Sequence, residues 1–241
     1  MSNGPRKLKG MAEVSKRIAW IVGGSGLVGS HLLPLLLQSG AYERVVALSR
    51  RPLRLDHPRL ANRILRFENL EKELASLACT DAYCCLGSTL KQAGSREAFR
   101  AVDCDLVVRF ARYARANGAV SLAVVSAIGA DIAAKNFYLH VKGETEIALQ
   151  ALRFPTTHIF QPSLLLGSRR ELRAAEGIAR LLAPLVSPLM IGKLKPYRPV
   201  SAHQVAAAMA GAVLSGRRGT HRYTYAEICK LAGSGDDASQ V

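Results

Sequence analysis

The run Gly23-Gly24-Ser25-Gly26-Leu27-Val28-Gly29 constrains this chain more than any other part of it. It lies between a short apolar stretch at 18–22 and a helix-patterned stretch at 27–38 that closes at Ser39-Gly40. Two spacings are met at once, GxGxxG from Gly24 and GxxGxxG from Gly23, and it is their context that gives them weight. A strand turning sharply into a helix needs glycines for the turn and for close backbone approach, and the helix N-terminus then offers N–H groups to a pyrophosphate. The absence of Gly-Lys-Ser/Thr excludes a P-loop. A second apolar run at 44–49 completes a βαβ unit.

The same alternation continues. Further strands are expected at 63–67, 81–86, 119–125 and 156–160. Helices are expected at 71–77, at 96–116 with a C-terminal cap at Asn117-Gly118, and at 137–152. Ser201 and Gln204 have capping-box spacing and open a helix that includes 205–214. This order predicts an α/β fold, a Rossmann-like doubly wound parallel sheet with helices on both faces. The 241 residues suit one domain, over 16–231, with a disordered basic stretch at 1–15 and a disordered tail at 232–241. The proline-punctuated segment 161–200 breaks the alternation and is expected to cover the substrate.

Thirty-three Lys and Arg against 18 Asp and Glu leave a net charge of +15, which draws anions without choosing among nucleotide phosphate, nucleic acid and acidic lipid. Nucleic-acid binding is the minor reading, because the excess is scattered. A membrane-surface contact through 169–198 is admitted but not favoured over a pocket cover or subunit contact, and a homodimer is admitted as an assembly. Five cysteines with no framework or ligand spacing indicate reduced thiols and a cytoplasmic location, and no metal site is expected. No secretory signal is read at the N-terminus, and no window approaches the ~18–20 apolar residues of a spanning helix.

Specific chemistry enters at two places. An acid about 20 residues past the glycines would bind the ribose 2′-hydroxyl of NAD(H), but the second strand ends Leu48-Ser49-Arg50-Arg51. Arg50 and Arg51 suit a 2′-phosphate, so NADP(H) is expected in preference to NAD(H). Tyr138 and Lys142 stand one helical turn apart, on one helix face. A lysine ammonium beside a phenol favours the phenolate and should lower its pKa from about 10 toward the working range, allowing proton exchange with a carbonyl or alcohol oxygen. Ser126, at the end of the fifth strand, could hydrogen-bond and orient the same oxygen.

These residues, with Cys84-Cys85-Leu86-Gly87-Ser88-Thr89, Ala101-Val102-Asp103, the run 125–131 and the run 138–144, make the chain resemble the short-chain dehydrogenase/reductases. The resemblance is to the atypical branch that contains the Tat-interacting protein and its bacterial NAD(P)-binding relatives. It implies a Rossmann fold, NADP(H) binding by the glycine loop and Arg50, and catalytic roles for Ser126, Tyr138 and Lys142. It also implies that Leu86 and Gly87 lie along the cofactor and that Pro162 and Ser163 flank the nicotinamide. Asp103 stands where related extended reductases often carry a relay asparagine. The expected function is hydride transfer between nicotinamide and a small carbonyl or alcohol substrate. The alternative is a non-catalytic NADP(H)-binding regulator that acts through protein partners.

Overall fold

A computed structural model of the chain describes residues 17–66, 70–75, 77–166 and 196–236. Strands β1 (Ile18–Val22), β2 (Arg44–Ser49), β3 (Leu60–Ile64), β4 (Asp81–Cys84), β5 (Ser121–Val125), β6 (Thr156–Phe160) and a strand at Gly219–Tyr223 form one sheet. With the last strand labelled β9, the order is β3-β2-β1-β4-β5-β6-β9, and every neighbouring pair is parallel. β1 is flanked by β2, with Trp20 opposite Val46, and by β4, with Trp20 opposite Ala82. Strand order reverses between β1 and β4, and ligands bind at such a crevice, beyond the carboxyl ends of the strands.

Alternating side chains supply two separate cores. Ala19, Ile21, Val45, Ala47, Tyr83, Ala123 and Phe160 face one way, under α1 (Gly29–Gln38) and a helix at Ala202–Leu214. Trp20, Val22, Val46, Leu48, Ala82, Cys84, Leu122, Val124 and Ile159 face the other. Against this second face pack α2 (Leu70–Leu74), α5 (Val107–Ala116) and α6 (Phe137–Ala151), and the short helices α3 (Leu90–Ala93) and α4 (Arg96–Arg100) lie between α2 and α5 in the chain. Burial of each large apolar side chain contributes about 1.5–3 kcal/mol, so burial on both faces explains why these strands read as continuous apolar runs.

Several boundaries differ from the sequence expectation. β3 begins at Leu60, because the half-buried Asn62 belongs to it: its amide donates to Ala47 O (3.1 Å) and Ser49 Oγ (2.7 Å) and accepts from Leu53 N (2.8 Å). The helix expected at 96–116 is interrupted by a π-helical turn at Ala101–Leu106. β9 and the helix at Tyr225–Asp236 lie outside the expected elements, and that helix runs into the tail expected to be disordered from residue 232. Between β6 and the helix at 202–214, β7 (Leu165–Leu166) pairs in parallel with β8 (Val200–Ser201), and the capping box at Ser201 and Gln204 is formed. The expected disorder at 1–15, most of the segment 169–198 and the last five residues lie outside the described residues. We number the helices at 202–214 and 225–236 α7 and α8.

Candidate active site

The glycine run occupies the crevice between β1 and β4. Gly23 has φ +78°, and a Cβ there would fall 2.6 Å from the Cys85 carbonyl, so the two strand ends can approach only with glycine at this position. A Cβ at Gly29 would fall 2.2 Å from Gly23 O, the carbonyl that also accepts from Gly26 N–H (2.8 Å) within the loop before α1. The first turn of α1 holds no acidic side chain. A bare backbone surface at a helix N-terminus fits a pyrophosphate, with the positive end of the helix dipole toward it.

Gly26, Leu27 and Val28 form one wall of a cleft of about 250 Å³. Leu86, Gly87, Ser88 and Asp103 form a second wall, and Val125, Ser126, Tyr138, Lys142, Leu164 and Leu165 enclose the rest. The structure therefore brings Ser126, Tyr138 and Lys142 to the cleft lined by the glycine turn, Leu86 and Gly87. Gly23, Gly24, Ser25 and Gly29 shape the turn without lining that cleft. Arg50 and Arg51 are exposed at the carboxyl end of β2. Pro162 O accepts from Ile128 N (3.0 Å), and Ser163 Oγ donates to Arg198 O (2.6 Å), so both hold the loops after β5 and β6.

Asn136 caps α6 by accepting from Leu139 N, and the helix places the Tyr138 ring and Lys142 Nζ 6.0 Å apart. The expected lowering of the Tyr138 pKa is corrected here. Burial pushes the phenol above its ordinary value, Lys142 opposes it, and the Asp103 charge adds to the rise. Burial is the main cause, and the Lys142 charge that opposes it is partly offset, because Lys142 Nζ is paired with Asp103 Oδ1 at 2.7 Å. Burial works against the ammonium, but Asp103 and Tyr138 outweigh it and leave the Lys142 pKa above its ordinary value.

Ser126 has a buried partner that the motif did not name. Its hydroxyl donates to Glu146 Oε1 (2.6 Å), which also accepts from Gln161 Nε2 (2.8 Å), while Arg222 Nε donates to Glu146 Oε2 (3.0 Å). With its one proton engaged, Ser126 presents lone pairs to the cleft, and donation to a carbonyl requires the hydroxyl to rotate. Glu146 was within reach of sequence reasoning, since it lies four residues past Lys142 on the same helix face. Arg222, 76 residues from Glu146, carried no such signal.

Comparison with known proteins agrees with this arrangement. The NAD dependent epimerase/dehydratase family matches residues 19–135. Protein HTATIP2 of Rattus norvegicus is 33% identical over 178 residues, covering 72% of this chain and 73% of that protein. Protein FMP52, mitochondrial, of Coccidioides immitis is 31% identical over 226 residues, covering 88% and 92%. Among solved structures, MoeE5 in complex with UDP-glucose and NAD superposes with a TM-score of 0.64 at 16% identity, covering 90% of this chain and 81% of that one. Human epimerase family protein SDR39U1 with NADPH superposes with a TM-score of 0.54 at 18% identity, covering 86% and 74%. At these identities the two structures show a shared fold.

The cytoplasmic location expected from the cysteines is overturned by the fungal relatives, several of which are named mitochondrial. Cys79, Cys84, Cys85, Cys104 and Cys229 are free thiols, and free thiols do not single out a compartment. The switch-point glycine turn, the tyrosine and lysine on α6 and the similarity to HTATIP2 and FMP52 over most of their lengths lead to one assignment: the chain belongs to the NAD-dependent epimerase/dehydratase family, within the short-chain dehydrogenase/reductase-like proteins.

Proposed function

We propose that this chain is an NADP(H)-dependent oxidoreductase that transfers hydride between the nicotinamide and a small carbonyl or alcohol substrate. The observation that carries the proposal is the single cleft in which Gly26, Leu27 and Val28 face Ser126, Tyr138 and Lys142. The bound dinucleotide would supply or accept the hydride. The glycine turn and the α1 N-terminus bind the pyrophosphate, and Arg50 and Arg51 hold a 2′-phosphate from the carboxyl end of β2. Tyr138, kept protonated by burial, donates its proton to the carbonyl oxygen during reduction and recovers one from the alcohol during oxidation. Lys142 keeps a positive charge beside the phenol as that proton leaves.

The test is consumption of NADPH with a panel of aldehydes and ketones, comparing the wild type with Tyr138→Phe. Loss of a general acid should lower turnover by about 10²–10⁴-fold, with NADPH affinity by calorimetry unchanged. A Tyr138→Phe variant that turns over like the wild type refutes the assignment, as does failure of both NADPH and NADH to bind at millimolar concentration. Tight binding with no turnover on any carbonyl would favour the cofactor-dependent regulator.

A further inference from the structure

The ammonium group that the proposed chemistry needs beside Tyr138 is already engaged. Lys142 Nζ lies 2.7 Å from Asp103 Oδ1, with side-chain exposures of 5% and 0%. The carboxylate is anchored from the other side, because Asp103 Oδ2 accepts from Ser88 N (2.9 Å) and Ser88 Oγ (2.6 Å) in the loop after β4. Its backbone is tied to α6, where the one proton of Thr145 Oγ1 is shared between Val141 O (2.7 Å) and Asp103 O (3.1 Å). The π-helical turn carries Asp103, and such turns often occur where a helix has been re-aimed for function. Two charges buried together are costly to desolvate and persist only when geometry and further hydrogen bonds compensate. On the Asp103 side Ser88 supplies those hydrogen bonds.

The neighbouring groups leave Asp103 as the counter-charge to Lys142. From β4, the Cys84 thiol is pushed up to about 12 by burial and stays uncharged. One turn along α6, Glu146 is committed to Ser126, Gln161 and Arg222. Glu144, on the same helix, is paired with Arg100 of α4. The Phe99 ring packs against Tyr138 at 5.5 Å between centroids and brings no charge.

We propose that Asp103 is a positioning residue: it anchors the Lys142 ammonium in the cleft and shares its charge, so that the Tyr138 phenol gives up its proton at a higher pH than it would beside an uncompensated lysine. The catalytic meaning of this rests on the role proposed above for Tyr138, but the ionisation can be read without cofactor, substrate or turnover. A failure of the oxidoreductase reading would therefore leave this test intact.

The experiment is an NMR titration of the purified chain carrying isotope-labelled tyrosine, with the Tyr138 signal assigned by its loss in Tyr138→Phe. Asp103→Asn preserves shape and can still accept from Ser88. Its Tyr138 midpoint should fall by about one pH unit or more, the size expected for one charge a few ångströms away in a partly screened interior. A midpoint that stays or rises overturns the proposal. If Asp103→Asn does not fold, Lys142→Met is compared with Asp103→Asn/Lys142→Met, which leaves neither charge of the pair. The double variant should then titrate at lower pH than Lys142→Met alone, and equal or reversed midpoints overturn the proposal. A purely structural role for Asp103 would change stability without moving the titration of one tyrosine in this direction.

Discussion

Gly143 offers the sharpest test of how α6 is seated. It is buried in the helix, one residue past Lys142, and a Cβ there would lie 2.3 Å from Asp131 C, 2.5 Å from Ile132 N and 2.6 Å from Asp131 Cα. Carbon atoms rest at about 3.5–4.0 Å, so Gly143→Ala forces the helix and the 131–132 loop apart by about 1 Å. All three obstructing atoms are backbone, so no rotamer change relieves the clash. Replacing a helical glycine by alanine otherwise gains up to about 1 kcal/mol, whereas overpacking costs about 1–3 kcal/mol and occasionally more. With three backbone contacts violated, the upper end applies, and the net loss is about 2 kcal/mol. For a chain of this size that lowers Tm by about 4–8 °C. Gly211 in α7 is the control, because its nearest added contact is Leu231 O at an ordinary 3.8 Å. Gly211→Ala should raise Tm by about 2–4 °C through helix propensity alone. Thermal unfolding of the two variants in one buffer is the assay. If Gly143→Ala matched or exceeded the wild type, α6 would not be seated as described, and the placement of Tyr138 and Lys142 would fall with it.

Replacing Arg50 and Arg51 together by alanine should weaken NADPH binding tenfold or more, since hydrogen bonds to a charged group contribute about 1.5–3 kcal/mol, and should leave NADH affinity unchanged. An equal loss for both cofactors in calorimetry would place the selectivity elsewhere. His158, on β6, is pushed down to about 4 by burial, then by His221 and Arg217, so the unfolded chain takes up a proton that the fold excludes. Stability should be full above about pH 6.5 and fall as the pH drops toward 4. Urea midpoints across that range should show the loss in the wild type and less of it in His158→Asn, and equal acid sensitivity in both would refute the cause.

The glycine turn was legible in the sequence because it joins two strongly patterned elements, and β1, β2, β5 and β6 because burial on both faces demands unbroken apolar runs. Tyr138 and Lys142 were legible as a pair because helix geometry converts their spacing into a shared face. β9 was not, since Gly219-Thr220-His221-Arg222-Tyr223 is an edge strand with only Tyr223 buried. The π-helical turn left no local mark, its consequence being a contact between Asp103 and Lys142 across 39 positions. The direction of the Tyr138 shift was missed for the same reason: spacing shows that a cation is near, while burial and the cation's other partner decide whether it acts.

Among the described residues, those lining the cleft lie at or before Leu165, yet α1, whose amino end supports the turn, is packed against α7 from beyond residue 200. Leu32, Leu33, Leu36 and Leu37 share one core with Val205, Met209 and Val213. A nascent chain that has only just emitted Leu165 thus carries Ser126, Tyr138 and Lys142, but not the helix that covers α1 and this face of the sheet. The seating of the glycine turn therefore depends on a helix that contributes no side chain to the cleft.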